Sequence, residues 1–138
     1  MVRKFLLGLF IFVFAVMPVF SAPRNHYYYE KEYQEVWALK NNGITEYVLP
    51  DRARVDCVTE EYAIEFDFAK KWGESIGQAL YYAVALNKKA GIVLIVEDPI
   101  KDQKYVDRVL AVAKTHDIKV WTMTPEDMIE SKDILVKR

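Results

Sequence analysis

Residues Arg54 to Ala83 run RVDCVTEEYAIEFDFAKKWGESIGQALYYA, two acidic strand-like segments leading directly into a helical one. Arg54 to Val58 and Tyr62 to Phe68 are rich in β-branched and aromatic side chains, and Thr59-Glu60-Glu61 divides them as a hairpin turn would. Side chains alternate between faces along a strand, so Glu65 and Asp67 share one face while Ile64, Phe66 and Phe68 take the other. The hairpin is expected to bring Asp56 beside Glu65. From Ala69 to Asn87, Trp72, Ile76, Ala79, Leu80 and Ala83 recur at helical spacing, which predicts a long helix straight after the second acidic strand.

Working outward, Tyr28 to Asn41 carries Tyr29, Tyr33, Val36 and Trp37 at helical spacing, and Asn41-Asn42-Gly43 supplies a stop. Thr45 to Leu49 adds the first strand of an antiparallel meander. Downstream, Ile92 to Val96 is a continuous apolar run, as befits a central strand buried on both faces. Beyond Pro99, Val106, Val109, Leu110 and Ala113 form another amphipathic stripe ending at His116, and Ile118 to Met123 returns as a strand. Thr124 and Pro125 fit the cap and first position of a last short helix. This order predicts a single α/β domain with a mixed central sheet of about five strands and helices on both faces.

The chain has 138 residues, 52% apolar and 28% charged, the composition of an ordinary globular protein. Its start departs from that average. Arg3 and Lys4 precede an apolar run from Phe5 to Phe20 that ends in small residues, shorter than the roughly 20 apolar residues of a membrane span. A signal peptide over residues 1–21 is expected, with the domain spanning 22–138, export through the inner membrane to the periplasm or beyond, and no stable span after cleavage. Removing Arg3 and Lys4 takes the formal charge from −1 to −3. With no basic block in the remainder, the charge counts against strong nonspecific DNA binding. Cys57, the single cysteine, cannot form an internal disulfide and reads as a buried thiol; no CxxC or His-rich cluster suggests zinc.

An acid inside an apolar strand is costly to bury unless it is paired or ligated, which singles out Glu65. Clustered carboxylates suit a hard divalent ion such as Mg²⁺ or Mn²⁺, which orients water and stabilises charge on a phosphodiester. Each acid has a structural alternative. Asp67 fits a helix N-cap as well as a ligand, Asp56 follows Arg54 on the same face and invites an ion pair, and Glu35 fits a solvated helix position. The Tyr27-Tyr28-Tyr29 cluster with Tyr33 and Trp37 suits core packing or a sticky helix face better than base stacking, since few cations lie nearby. His26 reads as exposed, and His116 as a favourable charge at a helix C-terminus.

With Asp56, Glu65-Phe66-Asp67 and Gln78-Ala79-Leu80-Tyr81-Tyr82 in place, the chain resembles the PD-(D/E)xK nuclease superfamily across roughly Tyr28 to Val96. The resemblance implies a restriction-endonuclease-like core and metal-dependent hydrolysis of phosphodiester bonds in nucleic acid. Asp56 corresponds to the motif Asp and Glu65 to the second acid. Glu35, in YQEVWAL, occupies a plausible place for the additional helix acid, with Glu46 as competitor. Gln78 and Tyr82 match an element of the RecB-like branches. The family's usual Lys is replaced by Asp67, and Lys71, on an i, i+4, i+7, i+11 stripe with Ser75, Gln78 and Tyr82, is the candidate substitute. The implied catalytic set is Asp56, Glu65, Asp67, Lys71 and Gln78, with Asp56, Glu65, Asp67 and Glu35 around Mg²⁺ or Mn²⁺. The missing Lys and the negative charge motivate the alternative, a noncatalytic binding or structural module of the envelope.

Overall fold

Helix ends are written into the backbone. Asn42, Asn87 and Asp117 adopt left-handed conformations with φ of 52°, 51° and 52°, and each closes a helix. The computed structural model describes residues 25–136; the expected signal peptide, residues 1–21, lies outside them. Helix α1 (Glu30–Asn41) starts after extended Tyr29, whose N–H donates to the Glu32 carboxylate at 2.7 Å. Strands β1 (Ile44–Val48), β2 (Arg54–Val58) and β3 (Tyr62–Phe68) follow. A 3₁₀ turn, Ala69–Lys71, leads into α2 (Trp72–Leu86), and β4 (Lys89–Ile95), α3 (Pro99–His116), β5 (Lys119–Met123) and α4 (Pro125–Val136) complete the order.

The five strands form one mixed sheet in the order β1-β2-β3-β4-β5, antiparallel through β3 and parallel from β3 to β5. Two successive crossovers of the same hand in a monotonic order put α2 and α3 on one face. There Ala79, Val109 and Ala113 pack on Ile92 and Leu94. On the other face Tyr33 and Trp37 of α1 and Met128 of α4 pack on Ile64, Phe66, Val93 and Ile95. The expected α/β sheet with helices on both faces is thus present.

Differences from expectation are small and have causes. β4 begins at Lys89 rather than Ile92, because seven consecutive pairs with β3, from Tyr62–Lys89 to Phe68–Ile95, recruit Lys89, Ala90 and Gly91 before the apolar run starts. The helix expected from Ala69 opens as a 3₁₀ turn that drops Ala69 into the core before α2 begins at Trp72. β1 ends before Leu49, which is buried and turns the chain through its N–H to Ala53 O at 2.8 Å. Gly43 follows the α1 cap where a Cβ would stand 2.4 Å from Cys57 Sγ, so close passage of the chain over the buried thiol requires glycine.

Candidate functional site: a buried carboxylate cluster

The β2–β3 ladder pairs Cys57 with Ile64 and Val58 with Ala63, and stops there. One step further, Phe66 N–H donates to Asp56 Oδ2 at 2.8 Å, so a side-chain carboxylate replaces the carbonyl that continued pairing would supply. This seats Asp56 against β3 at the level of Glu65. Asp67, two residues on, is turned by alternation to the same face as Glu65. Both are nearly inaccessible, at 5% and 3% exposure, inside an otherwise apolar strand. Asp67 Oδ1 accepts from Phe68 N–H at 2.9 Å and lies 3.7 Å from Lys71 Nζ.

Burial and mutual repulsion raise every acid in this group. Glu65 is pushed far above the carboxylate range, first by burial, then by the Asp56 charge, the acid–acid hydrogen bond with Asp56, and the charges of Asp67 and Glu30. Asp56 is raised by burial too, but the Phe66 N–H, Glu65 and the Gln34 amide act in the opposite direction, while Glu46 adds to the rise. The pair therefore holds Asp56 as the better carboxylate and Glu65 as the protonated partner. Asp67 rises to about 6, burial outweighing the opposing Lys71 charge and Phe68 N–H. Glu65 Oε2 is buried with no hydrogen-bond partner.

The acid contributed by α1 is Glu30. Its carboxyl rises to about 7, through burial first and then the charges of Asp56 and Asp67, with Lys71 lowering it. Gln34, one turn on, is 2% exposed and donates to Glu30 Oε1 at 3.3 Å. Glu35, the residue proposed from sequence, is exposed on the opposite side of the helix, 4.0 Å from Lys31, and is not brought into the cluster. Helical geometry explains this: at 100° per residue Glu30 falls about 20° from Trp37, on the buried face, while Glu35 falls on the far side. That signal was present in the sequence and points to Glu30 and Gln34. Glu46, the other competitor, lies close enough for its charge to raise Asp56 and Glu30, and pairs with Arg54 at 2.6 Å. Arg54 is thereby taken by Glu46 and not by Asp56.

On α2, Tyr82 OH donates to Gln78 Oε1 at 3.1 Å, leaving the Gln78 amide hydrogens free of that bond. The Tyr82 phenol is raised to about 12 by burial and then by the charges of Glu65 and Asp56, so this element stands next to the acid pair. Lys71 sits beside the cluster, at the end of the 3₁₀ turn, while its neighbour Lys70 is exposed and lines a cavity with Lys101 of α3. Ser75 is buried and donates to Trp72 O at 2.8 Å, a structural bond.

All the donors are oxygens, they repel one another, and one buried carboxylate oxygen has no partner; this chemistry fits a hard divalent cation. Among the described residues, no three His, Cys, Asp or Glu side chains already converge in metal-holding geometry. His26 pairs with Glu97 at 2.6 Å and stacks on Phe68, away from these acids. No helix among the described residues is long and apolar enough to cross a membrane. No family model, no curated protein and no solved structure matches the chain.

Proposed function

We propose that the protein is an exported, metal-dependent phosphodiester hydrolase acting on nucleic acid, a nuclease on a restriction-endonuclease-like core. The observation that carries this reading is the pair of half-buried Asp56 and buried Glu65 where β2 and β3 cease to pair, with Glu65 Oε2 lacking a partner. Export rests on the apolar run from Phe5 to Phe20 behind Arg3 and Lys4.

Asp56 and Glu65, with Asp67 and Glu30 beside them, are the residues that would hold Mg²⁺ or Mn²⁺. When bound, such an ion polarises the phosphoryl oxygen and lowers the pKa of a ligated water. The chain's own groups set up the rest. Phe66 N–H fixes the Asp56 carboxylate and favours its charged form. Lys71, beside the cluster, offers an ammonium to a phosphate oxygen or to water, the service that the replaced motif Lys gives elsewhere. Tyr82 anchors the Gln78 oxygen so that its NH₂ is presented as a donor.

One observation favours a second reading, a noncatalytic module on a degenerate scaffold: the described carboxylates do not converge as a three-donor group. The two readings separate in one experiment. Purified protein without residues 1–21 is incubated with single- and double-stranded DNA and RNA in Mn²⁺ or Mg²⁺, with Glu65→Gln as control. Cleavage that needs both the metal and Glu65 is expected. Its absence on all four substrates would leave the binding module.

A further inference from the structure

Sequence separation hides a basic face that the fold assembles. Lys70, Lys71 and Trp72 lie at the entry to α2, whereas Lys101, Lys104, Tyr105 and Arg108 lie on α3. The latter four recur at i, i+3, i+4 and i+7, one row of the helix. The two groups meet: the Arg108 guanidinium stands 5.5 Å from the Trp72 ring centre and 5.7 Å from that of Tyr105, and Lys104 Nζ stands 4.9 Å from Tyr105. Lys70 and Lys101 line the same cavity.

Acids border this face, and most of them already hold a partner of their own. Asp98 holds Lys101 at 2.7 Å, Asp67 holds Lys71 at 3.7 Å, and Asp107, on the neighbouring row, accepts from Gln103 at 2.8 Å. Asp102 is buried and accepts from the Glu97 and Asp98 N–H groups, and Glu74 stands near enough to Asp67 to raise it. Lys70, Lys104 and Arg108 form no ion pair among the described residues, and all three are exposed. Lys71, next to Lys70 and Trp72 in the chain, stands 3.7 Å from Asp67 of the carboxylate cluster.

We propose that this face binds single-stranded nucleic acid and leads it to the cluster, with Lys70, Lys104 and Arg108 taking phosphates and Trp72 and Tyr105 offering rings to bases. Cations alternating with half-exposed rings suit a strand whose bases are unpaired, whereas a duplex presents only its backbone to such a surface. The inference rests on the nuclease reading, for which it names the substrate's form.

The test is fluorescence anisotropy of a short labelled oligothymidylate with the protein in EDTA, where cleavage cannot interfere. Three neutralised phosphates predict a slope of log K against log salt of about −2 for a single strand. Lys104→Ala/Arg108→Ala is expected to weaken binding at least tenfold and bring the slope to about −0.7. Lys70→Glu on the other element is expected to weaken it likewise, and stands in should the double variant fail to fold. Unchanged affinity in these variants, a slope near zero, preference for duplex, or binding of phosphatidylglycerol vesicles in place of the oligonucleotide would overturn the proposal. Glu65→Gln separates the two ideas: if no cleavage is found while this variant and the parent both bind the strand, the surface survives and the nuclease reading falls. Conversely, cleavage whose KM ignores Lys104→Ala/Arg108→Ala removes the surface and leaves the nuclease.

Discussion

A carboxyl group in an apolar strand is tolerable only while something compensates it, and here neighbouring acids do the reverse. Glu65 is compensated by keeping its proton, Asp56 by a backbone N–H, and Asp67 in part by Lys71. A divalent cation would relieve all of them together. Mn²⁺ is therefore expected to raise the melting temperature, by mass action worth about 2.7 kcal/mol at a hundredfold excess over Kd. The gain should disappear in Asp56→Ala, and a scan in which that variant still responds would remove the cation from these residues. Glu30→Gln is expected to lower metal affinity or cleavage by roughly 10- to 100-fold, as loss of a group supporting a metal site does. Glu35→Gln, beside Lys31 on the solvent side, should leave both unchanged. Equal effects of the two variants in a cleavage assay would show that α1 contributes no acid. Asp56 and Glu65 were legible before any coordinates, because alternation along β3 and the hairpin length fix their meeting. Glu30 was missed because motif analogy favoured Glu35, although the helical period favours the other residue.

Elements were more legible than residues. The apolar run of β4, the stripes of α2 and α3 and the Asn-Asn-Gly stop of α1 each report a packing demand that the fold then meets. Boundaries were less so, since the start of β4 is set by pairing with β3, a long-range partner that no local pattern describes. The basic face is the extreme case: its cations lie some thirty residues apart in the chain, and only the docking of α3 against the entry to α2 unites them. Close passages are also invisible locally. At Gly43 an added methyl would meet Cys57 Sγ, so Gly43→Ala is expected to cost about 1–3 kcal/mol through overpacking. Trimming the thiol in Gly43→Ala/Cys57→Ala should return part of it, a coupling that chemical denaturation would read. Strict additivity of the two changes would place the strain elsewhere.

For the molecule as a whole, the cluster sets how stability follows pH. Glu30, at about 7 against a usual 4.5, and Asp67, at about 6 against 3.8, bind more protons folded than unfolded between those values. The slope of unfolding free energy with pH is then negative from these groups: the native state loses stability as pH rises from about 4 to 7 and keeps it on the acid side. Metal-free protein should melt at a higher temperature near pH 5 than near pH 8, and Glu65→Gln, which removes the acid raised furthest by folding, should flatten the trend. A melting temperature that climbs steadily from pH 5 to 8 in the parent protein would contradict this sign. The single bond from the Phe66 amide to Asp56 gives the site a built-in gauge. Whatever draws that carboxylate away must loosen one peptide N–H in the middle of the central sheet. Deuterium uptake at this lone amide, followed by magnetic resonance, would then register occupancy of the cluster without any substrate being turned over.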